Sequence, residues 1–171
     1  EEKNLTLDGY FQSEKYFSDY IEEIRKEFIF RNPVKLDEED CVSVHVRRDD
    51  YLKYADCHPA CSMEYYKEAM NEFPGKKFII FSDDKKWCLE NFDLERCSVS
   101  LVETASEDLQ LMSQCKGGHI MANSSFSWWG AWLGDPQKNK KVFGPKDWFG
   151  PVYNNRGWEV SDLYLPHWNL L

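Results

Sequence analysis

The stretch Cys41-Val-Ser-Val-His-Val46, running straight into Arg47-Arg48-Asp49-Asp50, constrains this chain more than any other. Val42, Val44 and Val46 alternate with Ser43 and His45, the period-2 signature of a strand, and β-branched residues favour one. Four charged residues then end it abruptly. A buried strand closing in an arginine pair suits an open α/β sheet, where ligands bind beyond the carboxyl ends of the strands. A guanidinium fork donates two parallel hydrogen bonds to a phosphate and stays charged at any working pH. The plainer alternative is a strand that turns into a solvated charged loop.

Similar short apolar runs recur along the chain. Strands are expected at Cys41 to Arg47, Lys77 to Phe81, Ser98 to Val102, His119 to Ala122 and Lys141 to Gly144. Helices are expected at Met63 to Phe73, Lys85 to Phe92, Ser106 to Cys115 and Trp128 to Leu133. In the fourth of these strand-following helices, Trp128, Trp129 and Trp132 read mostly as core, because large aromatics dominate cores. In the helix before it, Leu109, Met112 and Ser113 are expected to face in. A longer helix precedes the first strand, from Ser13 to about Arg31, with Tyr16, Phe17, Tyr20, Ile21, Ile24 and Phe28 on one face. Strands alternating with helices imply a parallel sheet with right-handed crossovers. The expected fold is therefore α/β: one doubly wound, Rossmann-like parallel sheet of about five strands. A lead-in and helix occupy residues 1–36, the Rossmann-like body 37–150, and an aromatic tail 151–171 covers the body as loops or a short terminal helix. Trp158 and Trp168 of that tail either cover this body or offer surface to another lobe.

Polar clusters follow three of the strands. Arg47, Arg48 and Asp50 follow the first, Ser82, Asp83 and Asp84 the second, and Asn123, Ser124 and Ser125 the fourth. In a parallel sheet all three line one crevice. The arginines suit a diphosphate. The Asn-Ser-Ser turn opens a helix, where free N–H groups and small hydroxyls attract an anion. An aspartate can accept from the donor edge of a purine. Singly, each has a structural explanation: Ser82 and Ser124 as helix caps, Asp83 and Asp84 as favourable charges at a helix start, Asp50 as a brace for an arginine. Together they point to a nucleotide pocket. His45 enters the same crevice, either as a satisfied core histidine or as a ligand donor.

Composition excludes several classes. A net charge of −9 argues against non-specific nucleic-acid binding, which needs a basic surface. No apolar run approaches the roughly 20 residues of a membrane span, and the charged start, Glu1-Glu2-Lys3-Asn4, has no signal-peptide character. That start lacks a methionine, as expected of a piece of a longer protein. No GxGxxG follows a strand, which disfavours a nicotinamide or flavin site. Cys57-His58-Pro-Ala-Cys61 has no second ligand pair, so no metal is expected there.

Gly9-Tyr-Phe-Gln-Ser-Glu-Lys-Tyr-Phe17, His45-Val-Arg-Arg-Asp-Asp-Tyr51, Phe81-Ser-Asp-Asp84, Met112-Ser-Gln-Cys-Lys116 and Ala122-Asn-Ser-Ser-Phe-Ser-Trp-Trp-Gly-Ala-Trp-Leu133 together resemble the bacterial α-1,2-fucosyltransferases of glycosyltransferase family 11. The chain departs from them at Asp49, where glycine is common. The resemblance implies an inverting enzyme of the two-lobed GT-B type. Such an enzyme moves L-fucose from GDP-fucose to a hydroxyl of a galactose-containing oligosaccharide, with no essential metal or other cofactor. This chain would match its carboxyl-terminal, donor-binding half; an amino-terminal half would be its partner. By position, Arg47 would hold the β-phosphate, and His45 and Asp83 would lie at the nucleotide or fucose, making Arg47 and His45 the candidate catalytic residues. Ser124, Ser125 and Phe126 would touch the diphosphate beside Asn123, with Ser82 nearby; Arg48 and Asp50 would bind the nucleotide or fix the strand end. The resemblance also implies membrane-glycan synthesis in the cytoplasm or at the inner face of the membrane. Its rivals are a non-catalytic nucleotide-binding module and a transferase of another GDP-sugar.

Overall fold

The computed structural model describes residues 6, 8–157 and 160–171. The start of the lead-in, Leu7 and Trp158 therefore lie outside the described residues. Six parallel strands form one sheet in the order β3-β2-β1-β4-β5-β6. They are β1 (Cys41–Val46), β2 (Lys77–Ser82), β3 (Cys97–Val99), β4 (Gly118–Ile120), β5 (Val142–Gly144) and β6 (Asn169–Leu170). The chain winds outward from β1 to β3, returns to the other side of β1, and winds outward again. The order therefore reverses between β1 and β4, the place where doubly wound sheets open their ligand crevice.

All six residues of β1 are buried, because β2 and β4 flank it and helices cover both faces. Val42, Val44 and Val46 face α2 (Met63–Asn71) and α3 (Lys85–Asn91), packing with Tyr66, Met70 and Phe73. The opposite face receives α4 (Ala105–Gln114) and α5 (Ser125–Gly134). There, Ser43 Oγ and His119 Nδ1 lie 2.7 Å apart, a buried polar pair between β1 and β4. Each fully buried large apolar side chain contributes about 1.5–3 kcal/mol, so these two layers supply most of the stabilisation. Among the described residues no helix is long and apolar enough to cross a membrane.

Several elements differ from the sequence expectation. The helix expected from Ser13 to Arg31 is two 3-10 turns, Glu14–Tyr16 and Ser18–Tyr20, followed by α1 (Ile21–Glu27). Phe17 leaves helical geometry to insert against Trp129 and Trp132, at ring distances of 5.6 and 5.3 Å, and Tyr16 and Tyr20 are left exposed. Tertiary packing has overridden the periodicity. α5 starts at Ser125, earlier than expected, because Ser124 Oγ accepts from the Phe126 N–H and caps it. In α4 the buried residues are Gln110, Leu111 and Met112 rather than Leu109 and Ser113. The tail holds a short helix, α6 (Pro151–Asn154), and the sixth strand, whose two residues are too few to show a pattern. Trp168 is not exposed: it packs edge-on to Trp128 with the rings 5.8 Å apart, so it covers this body.

The junction of β4 with the start of β5 leaves no space for a side chain at Gly118. Its φ is +137°, and a Cβ there would meet the Lys141 carbonyl at 2.5 Å and the Phe73 ring at 2.6 Å. Gly75 also has positive φ, at +74°, but open space around it. In urea unfolding, Gly118→Ala should lose about 3 kcal/mol, and Gly75→Ala about 1 kcal/mol from backbone strain alone. Equal losses would show that the junction has room to relax.

Candidate active site

β1 hands two consecutive arginines to the crevice, and successive side chains of an extended chain diverge. Arg47 Nη2 donates to Asp50 Oδ1 (2.7 Å), and Nη1 pairs with Asp83 Oδ2 (3.1 Å). Its guanidinium also lies 5.5 Å from the Tyr51 ring centre. Arg48 turns the other way, toward α3: its Nε donates to Asp84 Oδ2 (3.2 Å) and its guanidinium lies 3.8 Å over Trp87. The backbone N–H of Arg48 donates to Asp83 Oδ1 (3.0 Å). One carboxylate thus ties the end of β2 to both arginines. Ser82 Oγ accepts from the Asp84 N–H (3.0 Å), and Asp84 caps α3 through the Trp87 N–H (3.1 Å). The cluster after β2 positions the arginines.

The turn from β4 into α5 is held as firmly. Asn123 is fully buried, and its amide donates to the carbonyls of Pro59 (2.9 Å) and Trp148 (3.0 Å). Its own carbonyl accepts from the Tyr51 hydroxyl (2.8 Å), and the Cys61 thiol approaches its Oδ1 at 3.7 Å. Three segments are pinned together: the loop after β1, the start of α5, and the loop after β5. Ser127 Oγ donates to the carbonyls of Ala122 (3.0 Å) and Ser124 (3.1 Å), which fixes the first turn of α5.

A cavity of about 410 Å³ opens between these segments. Arg47, Asp50, Ser124, Ser125 and Phe126 form one wall; Asn123 and Trp148 contribute deeper lining. Tyr51, His58, Phe149 and Tyr153 form the facing aromatic wall, with His58 stacked on Tyr51 at 5.1 Å. Burial pushes the Tyr51 phenol up to about 12 and lowers His58 from its ordinary value, so both present neutral rings. One end of the cavity offers a cation and a helix N-terminus; aromatic rings interspersed with polar groups line the rest. Such a surface can hold a phosphate at one end and an uncharged, ring-shaped group beside it.

Of the residues expected at the site, Arg47, Asp50, Asn123, Ser124, Ser125 and Phe126 line the cavity. His45, Arg48, Ser82 and Asp83 stand behind it. The His45 ring lies 5.2 Å from that of Phe126, and its buried Nδ1 has no hydrogen-bond partner among the described residues. Burial, then the nearby Arg47 charge, pushes its pKa down to about 3, so the ring is neutral and a weak base. Asn123 spends its side chain on the protein itself. Tyr10, Gln12, Tyr51 and His58 were within or beside the quoted motifs without a role; Phe149 and Tyr153 carry no local signal. Among the described residues no group of three or more His, Cys, Asp or Glu is placed to share a metal ion. His58 and Cys61 take separate roles, in the aromatic wall and against Asn123.

The glycosyl transferase family 11 model matches residues 2–170. An α-1,2-colitosyltransferase from Escherichia coli is 36% identical over 162 residues, covering 82% of this chain and 55% of its own. The E. coli O-antigen biosynthesis glycosyltransferase WbnK is also 36% identical, over 72% of this chain and 43% of its own. The mouse galactoside α-(1,2)-fucosyltransferase 1 is 29% identical over 78% of this chain and 42% of its own. The chain spans about half the length of the curated relatives it matches. No solved structure matches it.

Buried neutral imidazoles make the fold acid-sensitive. His45 and His119 are both pushed to about 3 by burial, whereas unfolded imidazoles take up a proton below about 6.5. Between those values the unfolded state binds more protons, so stability present at pH 7 is lost as pH falls. At pH 5 the loss should be roughly 2 kcal/mol for each. Urea unfolding at pH 7 and 5 measures it, and His119→Asn should halve the difference. A pH-independent midpoint over this range would contradict the burial of both rings.

Proposed function

This chain belongs to glycosyl transferase family 11, and from that premise we propose that it carries the donor site of an inverting α-1,2-fucosyltransferase. The donor is GDP-fucose and the acceptor a galactose-containing oligosaccharide. The observation that carries the reading is the convergence of Arg47 and the N-terminus of α5 on one wall of the cavity, at the ends of β1 and β4 where strand order reverses. Breaking the bond from fucose to GDP leaves negative charge on the diphosphate. Preorganised donors that meet that charge as it forms lower the barrier most effectively.

Arg47 supplies those donors from an asymmetric cradle. Asp83 is only 18% exposed and is also bound to the Arg48 N–H, so it stays and orients the guanidinium. Asp50 is 49% exposed and swings away when the β-phosphate takes its place on Nη2. The Ser125 N–H at the start of α5 and the hydroxyls of Ser124 and Ser125 complete the anion site, and the fucose lies along the aromatic wall. No divalent cation is required, since the fixed arginine provides the charge that one would bring. A second lobe, corresponding to the remaining length of the relatives, would close the cleft over the acceptor. That closure exclude water and aligns two reactants, which can be worth about 7–11 kcal/mol of barrier.

A second reading shares the site and the chemistry but uses another nucleotide-activated deoxy sugar. It is favoured by the similarity to a relative named for colitosyl transfer. The two separate in one assay. The protein carrying this chain, given GDP-fucose and lactose with excess EDTA, should form fucosyl-lactose at the rate seen without chelator. No product from GDP-fucose, but product from GDP-colitose, would replace the first reading by the second. Activity lost in EDTA and restored by Mn²⁺ would overturn the metal-free mechanism.

A further inference from the structure

The segment Gly9-Tyr-Phe-Gln12 is distant in sequence from the strand ends, yet the fold brings Tyr10 and Gln12 into the lining of the cavity. The Tyr10 carbonyl accepts from the Trp129 indole N–H (3.1 Å). Phe11 sits at φ 47°, a left-handed conformation that residues other than glycine rarely adopt and that the surroundings must hold in place. Ser13 Oγ donates to the Asp162 carbonyl (2.6 Å). Gln12 is thus anchored on both sides. Its amide makes no hydrogen bond to the described residues, and it lines two spaces at once. One is the cavity of Arg47. The other is an outer groove of about 450 Å³ formed with Lys15, Tyr16, Asp162 and Leu163, and Phe149 is common to both.

We propose that this outer groove is the subsite for the acceptor glycan, a neutral galactoside, and that Gln12 hydrogen-bonds one of its hydroxyls at the junction. The inference rests on the transferase reading above. An acceptor must reach the sugar held in the inner cavity, and the groove adjoins that cavity through Gln12 and Phe149. A primary amide both donates and accepts, which is what a sugar hydroxyl requires of a partner. Tyr16 is 72% exposed and offers an aromatic face to the C–H face of a sugar ring. Lys15 and Asp162 pair with each other, so the groove presents no single-sign charge and suits an uncharged ligand.

Saturation-transfer NMR with lactose in the presence of GDP tests the groove on this chain directly. Calorimetric titration with GDP runs beside it. Wild-type protein should transfer saturation to lactose protons. Gln12→Ala should weaken lactose binding about tenfold, the size of one lost hydrogen bond, and Tyr16→Ala should reduce the signal as well. GDP affinity should stay within about twofold in both variants, because neither residue is at the anion end. In the protein carrying this chain, the Gln12→Ala change should raise the acceptor KM far more than it lowers kcat. GDP binding with no lactose signal, or with lactose binding equal in wild type and Gln12→Ala, overturns the groove and leaves the donor site standing. Failure of GDP to bind overturns the transferase reading itself.

Discussion

A strand buried on both faces and paired on both edges has only its end to give to chemistry. β1 is that strand, and everything at the site follows from where it stops. Its valines fix the face that meets α2 and α3, which fixes the register against β2 and β4. The first residues past the buried run must then be charged, because the chain leaves the core there. With β4 as neighbour and the order reversing between them, the start of α5 is brought alongside Arg47. A cation and a helix N-terminus come together as a consequence of topology.

Two side chains convert that proximity into a rigid arrangement. Asp83 joins Arg47 and the Arg48 backbone to the end of β2, so the guanidinium is aimed before any ligand arrives. Asn123 ties the loops after β1 and β5 to the start of α5, so both walls of the cavity share one support. A buried amide with both carbonyl partners removed would leave polar groups unsatisfied, at about 1–3 kcal/mol each, and would release three segments together. Family membership and fold agree here. The matches extend across the motifs at β1 and α5, and those motifs are the ones that converge.

Much of this was legible in the sequence because it is local. The alternation at residues 41–46 showed a strand, the βα rhythm showed a parallel sheet, and polar residues after three strands showed an edge. What was hidden depends on contacts distant in sequence. Nothing near Asn123 says that its amide will bond to Pro59 and Trp148 instead of a ligand. The role of Phe149 and Tyr153 depends on a loop after β5 folding back over His58. The Ser13-to-Arg31 pattern misled because Phe17 is taken by two tryptophans of α5, a packing demand that outweighs helical periodicity. β6 is two residues long and has no signature at all.

We propose that Arg47, held by Asp83, is the principal ligand of a nucleoside diphosphate. Calorimetric titration of this chain with GDP tests it most directly, comparing wild type with Arg47→Lys and Arg47→Ala. Lysine keeps the charge and loses the fork, and a lost charged hydrogen bond costs about 1.5–3 kcal/mol, so affinity should fall on the order of 10- to 100-fold. Alanine should weaken binding further. GDP bound equally well by a folded Arg47→Ala protein would contradict the claim.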